Sequence, residues 1–276
     1  MLSTINRGTV VQILQSIQSS SRRCQIHSTD LILKTSFFFS TISTNTNLPE
    51  NGGNAQSSIS NNSDGGGKTK KKYKNTSWNI VPRYNGPAEE ECTPEQKKIR
   101  DAIIASRPRT GLSGPFGPWL AVPDIAQPAQ ALGRACRYGT SLSFRESELV
   151  ILLTGAKTRS HSEFDIHVGE ALKAGISMEI VEAIPRDEEF SLDKVKKDVM
   201  PLLDNEREKA IALYTSELVD TYTVCDKTYK YAKATLGGKD SVLVEITSIA
   251  GYYTYVAYTL NAFRVPTKKP EEEGSK

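Results

Sequence analysis

Arg145-Glu-Ser-Glu-Leu-Val-Ile-Leu-Leu-Thr-Gly-Ala-Lys-Thr-Arg-Ser-His-Ser-Glu-Phe-Asp-Ile-His167 is the stretch on which the reading of this chain turns. It predicts two helices joined by a short turn, with ionisable side chains aimed inward. At about 100° per residue, Glu148 points about 40° from Phe144 and Leu152 and about 20° from Gly155, with Ile151 on its other side. Glu146, Ser147 and Thr154 take the polar side. Glu148 therefore falls within the apolar arc, where an unpaired carboxylate is costly. A glutamate near a helix N-terminus that bends out to water is the alternative.

The second helix is predicted over roughly 160–174, with an apolar stripe of Phe164, Val168, Ala171 and Leu172. His167 sits beside that stripe, Glu163 lies one turn before it, and Glu170 shares nearly the azimuth of Glu163. Two acids and a histidine facing one pocket can move protons, so Glu148, Glu163 and His167 are the candidate catalytic residues. A hydrogen-bonded core histidine is the alternative for His167 alone; the nearby carboxylates weigh against it. A metal site is the rival use of these groups. His161 and His167 are separated by about 240° of helical turn and cannot chelate one ion unless the helix starts after His161. Glu163, His167 and Glu148 could supply three ligands, yet there is no His-Glu-x-x-His and no cysteine–histidine cluster. Neither a metal nor a cofactor is expected.

Outward from this stretch the pattern is helical from about residue 94. Thr93-Pro-Glu-Gln96 opens a helix with a capping box and proline at its first position. A Gly/Pro-rich loop is predicted at 111–118, then a helix from about 124 to Gly139. Ser143-Phe-Arg-Glu146 is a second capping box. Gly175 stops the His167 helix and Ser177 starts a short one. Residues 185–205 read as a charged connection to a helix at about 206–224, and the last helices are predicted at 226–236 and 240–263. No sustained period-2 alternation occurs, so the fold class is all-α with essentially no sheet. The stretch 242–263 is long and apolar but holds Glu245 and four tyrosines, which reads as a core or interface helix rather than a membrane span. No membrane partner is expected.

These motifs resemble the carboxymuconolactone decarboxylase family, the branch of the alkylhydroperoxidase-like fold without redox cysteines. The likeness runs from about Thr110 to Pro266. Its parts stand in family order: Gly-Pro-Phe-Gly-Pro-Trp119, Arg-Tyr-Gly-Thr-Ser-Leu142, Arg145-Glu-Ser-Glu-Leu149, Glu163-Phe-Asp-Ile-His167, Ala171-Leu-Lys-Ala-Gly-Ile176, and Gly251 through Phe263. In the thiol-active branch a glutamate, a Cys-x-x-Cys pair and a histidine form a proton relay. The glutamate matches Glu148 and the histidine His167. The cysteine positions fall on Ser160 and Glu163, neither of which can form a disulfide or a thiolate, so thiol peroxidase chemistry is out of reach. Glu163 matches an acidic residue carried by the decarboxylase branch. The resemblance implies an alkylhydroperoxidase-like helical bundle that assembles as a homo-oligomer, a trimer or a hexamer. It leaves the substrate open.

The 276 residues are not one domain. Residues 1–49 carry Arg7, Arg22, Arg23 and Lys34 against the single acid Asp30 and are rich in Ser and Thr, the composition of a mitochondrial transit peptide. A disordered extension is the alternative. Residues 50–76 are low in complexity, end in a lysine run, and read as a disordered linker; a nuclear signal or a patch for anionic surfaces is the other reading of that run. The helical domain covers 77–268, and 269–276 is a charged tail. The net charge of +3 comes largely from the linker. The domain does not interleave basic and aromatic residues as a nucleic-acid surface would, so no nucleic-acid partner is expected. Cys24, Cys92, Cys136 and Cys225 show no disulfide spacing and fit free thiols.

The expected function is a small-molecule lyase of the decarboxylase type acting on a carboxylated lactone or related organic acid. His167 would shuttle the proton, Glu148 would orient it or act as base, and Glu163 would be the second acid. Arg134 or Arg137 would hold the substrate carboxylate. A binding or scaffold protein that keeps the fold without turnover is the alternative.

Overall fold

The computed structural model describes residues 72–107 and 111–268, and no strand occurs among them. The transit-peptide segment 1–49, the linker as far as 71 and the tail 269–276 lie outside the described residues. The main helices are α1 (Pro94–Ser106), α2 (Phe116–Leu120), α3 (Pro123–Tyr138), α4 (Phe144–Lys157), α5 (His161–Lys173), α6 (Met178–Ala183), α7 (Glu206–Thr221), α8 (Asp226–Thr235) and α9 (Asp240–Phe263).

Local chemistry sets most of these ends. Both predicted capping boxes form, at Thr93 with Gln96 and at Ser143 with Glu146. Each satisfies two backbone donors that the first helical turn leaves without partners. Gly175 closes α5 at a φ of 90°, in the left-handed region open to glycine, and the Ser177 side chain caps α6.

Helix α4 is the centre of the bundle and packs against α5, α7 and α9. Every residue from Glu146 to Ala156 is buried. This corrects the amphipathic reading, because the expected polar side also faces protein. Its polar groups are satisfied internally: Thr154 Oγ1 donates to Val150 O at 2.8 Å, and Glu146 Oε1 accepts from Arg207 Nε at 2.5 Å. A helix enclosed on several sides has no solvent face, so periodicity alone cannot orient it. On α5, Leu172 was expected in the apolar stripe but is 39% exposed.

The Gly/Pro-rich loop is also corrected. Its second half folds as α2, with all five residues buried. Trp119 stacks on Tyr255 with ring centroids 4.8 Å apart, and its Nε1 donates to Thr259 Oγ1 at 2.9 Å. Large buried aromatic contacts outweigh a composition that disfavours helix. The connection at 185–205 folds into short helical turns that drop Val195 and Val199 into the core.

Ahead of α1, residues 72–93 lie as a strap. Tyr73, in the segment read as linker, donates its hydroxyl to Asp165 Oδ1 at 3.0 Å and meets the Phe164 ring at 6.3 Å. The chain therefore packs from Tyr73 onward, ahead of residue 77.

Candidate proton-transfer site

Helices α4 and α5 are joined by a turn in which Arg159 takes a left-handed φ of 54° and Ser160 N donates to Gly155 O at 3.1 Å. The turn folds α5 back along α4. The two helices meet at Gly155 at ordinary contact distance: a Cβ there would stand 3.4 Å from Phe164 N and 3.6 Å from Glu163 Cγ. That contact brings the α5 side chains onto Glu148.

The predicted trio converges. His167 Nδ1 lies 2.7 Å from Glu148 Oε2, and Nε2 lies 3.3 Å from Glu163 Oε1. Their relative exposures are 6% for His167, 1% for Glu148 and 2% for Glu163. A carboxylate this close to Nδ1 accepts its N–H and fixes the tautomer, which leaves Nε2 for exchange with Glu163. The second contact is ion-pair distance without hydrogen-bond alignment, and Glu163 Oε1 is buried with no hydrogen-bond partner among the described residues. Burial pushes the Glu163 carboxyl up to about 7; the Glu148 charge adds to this, while His167 and Arg137 oppose it. Burial pulls His167 down, but the charge and hydrogen bond of Glu148, with the charge of Glu163, outweigh it and raise the imidazole above its ordinary value. An acid that exchanges its proton near neutral pH thus sits beside an imidazole that binds its own more tightly than usual.

The two arginines part company. Arg137 Nη1 reaches Glu148 Oε1 at 3.4 Å, and Nη2 reaches Glu170 Oε2 at 3.3 Å. It also donates to Tyr253 OH at 3.4 Å. Arg137 is thus tied to the carboxylate that holds the histidine, instead of standing open for a substrate. Arg134 lies three residues earlier on α3, is exposed, and has no hydrogen bond or ion pair among the described residues. The structure does not bring it to the cluster.

Tyr253 is a site residue that the spacing did not single out. Its ring meets the His167 ring edge-on, with centroids 5.1 Å apart at 87°. Burial, the largest effect, raises its phenol well above the ordinary range, so it stays protonated. Tyr253 belongs to the Gly251–Phe263 motif, but nothing local marks it among four tyrosines. Glu170 had a signal, since it shares the azimuth of Glu163.

Ser160 is fully buried, and its hydroxyl has no hydrogen-bond partner among the described residues. His161 is drawn to Asp187, 3.3 Å away. Among the described residues, no three His, Cys, Asp or Glu side chains are placed to hold a metal ion. Cys92, Cys136 and Cys225 are free thiols.

No family model and no curated protein matches this chain. Solved structures do. An uncharacterized peroxidase-related protein from Silicibacter sp. TM1040 is similar with a TM-score of 0.53 and 11% identity, over 76% of this chain and 99% of that one. The alkylhydroperoxidase AhpD core of an uncharacterized peroxidase-related protein from Ralstonia eutropha JMP134 gives 0.49 and 16% identity, over 68% and 93%. The debrominase Bmp8, solved with 2,3,4-tribromopyrrole, gives 0.49 and 10% identity, over 67% and 91%. The first likeness, at that identity, speaks for the fold alone.

Proposed function

The chain has the all-helical alkylhydroperoxidase-like fold, and from that premise we propose that it is a small-molecule lyase working by general acid–base proton transfer. The observation that carries this reading is the buried Glu148–His167–Glu163 row, with Nδ1 held at 2.7 Å and a Glu163 carboxyl raised to about 7 beside Nε2. The substrate is a carboxylated lactone or related β-keto acid. Its carbon–carboxylate bond breaks, carbon dioxide leaves, and the electron pair stays on carbon as a dienolate. A proton from His167 Nε2 or from Glu163 then closes that carbon. The low-dielectric surroundings strengthen this transfer. Arg137, 3.4 Å from Glu148 Oε1, holds that carboxylate in place; the substrate carboxylate leaves without needing Arg134.

The test is a screen of lactone and β-keto acids for release of carbon dioxide by the wild-type chain, Glu148→Gln and His167→Ala. Release lost in both variants supports the reading. A scaffold protein would release nothing from any acid in the set.

Two further parts of the proposal rest on the sequence. The protein acts as a homo-oligomer, with the outer face of α9 at the interface; Val244 and Tyr258 there are 62% and 59% exposed. A clean monomer in sedimentation at micromolar concentration overturns this. Residues 1–49 direct it to mitochondria, which a full-length fusion that stays cytosolic overturns. Among the described residues no helix is long and apolar enough to cross a membrane.

A further inference from the structure

A cavity of about 500 Å³ opens on α5 where Asp165 and Ile166 line it, and no step proposed above uses it. Asp165 points about 160° round the helix from His167. The volume falls within the ~300–1,000 Å³ of small-molecule sites.

The surroundings are held in place. Thr267 N donates to Ser77 O at 3.3 Å and Arg83 N to Phe263 O at 2.8 Å, which stitches the strap to the segment after α9. Ser162 Oγ fastens that segment to α5 through Val265 O at 2.7 Å. Beside the cavity, the strap and α2 cross at van der Waals limits. A Cβ on Gly86 would stand 2.3 Å from Gly117 O, and one on Gly117 would stand 2.0 Å from Asn85 O. A cavity framed this way is present before any ligand arrives, which lowers the ordering cost of binding.

Its polar inventory is one-sided. The Asp165 carboxylate already accepts from Tyr73 OH at 3.0 Å, from Ser77 N at 3.3 Å and from Ser77 Oγ. Asn75 Oδ1 accepts from Ser77 N at 3.2 Å and from Thr267 Oγ1 at 3.4 Å. That leaves the Asn75 NH2 group, the Asn85 amide, the Ser113 hydroxyl and the Lys268 ammonium, all lining the cavity and without partners among the described residues. Donors dominate this set, and one is a cation. Pro118, Ile166, Val265 and Pro266 supply apolar surface. Donors at one place and hydrocarbon at another fit a molecule with an acceptor-rich, anionic head and an apolar body.

We propose that this cavity binds a small organic acid, its carboxylate against Lys268 and Asn75 and its apolar body against Ile166 and Val265. The site stands apart from the proton-transfer row and does not rest on the activity proposed there.

The experiment titrates the full-length chain by calorimetry with cyclohexanecarboxylate and with its neutral counterpart, cyclohexylmethanol. The acid is expected to bind saturably and about tenfold or more tightly than the alcohol, the effect of one charge-assisted contact. Ser113→Trp, at an exposed position, fills the opening and abolishes binding. Lys268→Glu turns an attraction into a repulsion and weakens the acid by about tenfold. His167→Ala leaves binding unchanged. The proposal falls if the acid does not saturate, if acid and alcohol bind alike, if either Ser113→Trp or Lys268→Glu has no effect, or if His167→Ala removes binding.

Discussion

Helix α5 carries two buried carboxylates, Glu163 and Asp165, two residues apart and on different faces. Asp165 is surrounded by neutral donors: the Tyr73 hydroxyl, the Ser77 hydroxyl and the Ser77 N–H. Each oxygen is engaged, so the group acts as a latch for the strap. Glu163 is buried too, but Oε1 has no hydrogen bond among the described residues, and it lies 3.3 Å from the Nε2 of His167. Burial alone therefore does not separate a structural carboxylate from a chemical one. The partner set does: the Asp165 oxygens are saturated by fixed donors, whereas Glu163 faces charged and titratable groups and its carboxyl is pushed up to about 7.

The largest effect that tests this contrast is on turnover. Glu148→Gln is nearly isosteric and keeps the fold, yet is expected to cut carbon dioxide release by about 10²–10⁴-fold, the range for losing a general acid–base partner. His167→Ala should do at least as much. Asp165→Asn, on the other face of the same helix, should leave kcat within a few-fold. Equal losses at Glu148 and Asp165 would erase the distinction.

Next comes stability. Asp165→Ala strands the Tyr73 hydroxyl and the Ser77 donors, at a cost of roughly 2–3 kcal/mol by the usual penalty for buried groups left unpaired. Glu163→Gln should be neutral or stabilising, because it removes a carboxylate whose charge is poorly compensated. Urea unfolding of the two variants, read as midpoint shifts with unchanged slope, checks both.

The pH dependence follows the same difference. Glu163 binds its proton more tightly in the native state, at about 7 against an ordinary 4.5. Protonation thus favours the fold, and stability falls as pH rises through that window. His167, raised above its ordinary 6.5, acts in the same direction: its charge stabilises below that value, and the gain is lost as pH climbs through the raised native value. Unfolding free energy should therefore decline as pH rises from 4.5 to about 7 and go on declining above it, and Glu163→Gln should flatten the lower part of the slope. A wild-type curve that rises with pH across this range would show that Glu163 does not bind its proton more tightly in the folded state.

The smallest effect is at the start of α4. Ser143→Ala removes the capping box that seats the helix bearing Glu148, at about 1 kcal/mol. The loss should appear in the melting temperature, with kcat nearly unchanged.

Several features were legible without coordinates because they are local. The capping boxes at Thr93 and Ser143, the stop at Gly175 and the restart at Ser177 each depend on residues within one turn. The facing of Glu148, Glu163 and His167 was legible too, because a short turn leaves two neighbouring helices few ways to pack. The α2 helix was not, because its anchors, Tyr255 and Thr259, lie 136 and 140 residues beyond Trp119 in the numbering.

The sequence by itself determined an all-helical chain, the ends of its main helices and which three side chains share one azimuthal sector. These follow from hydrogen bonds and periodicities that close within four residues. Only the tertiary structure decided that α4 has no solvent face, that Arg137 clamps Glu148 while Arg134 stands outside, that Tyr253 meets His167, and that Asp165 is a latch. Each of these depends on partners brought from distant parts of the chain, and a one-dimensional pattern carries no record of which distant groups will saturate a buried charge.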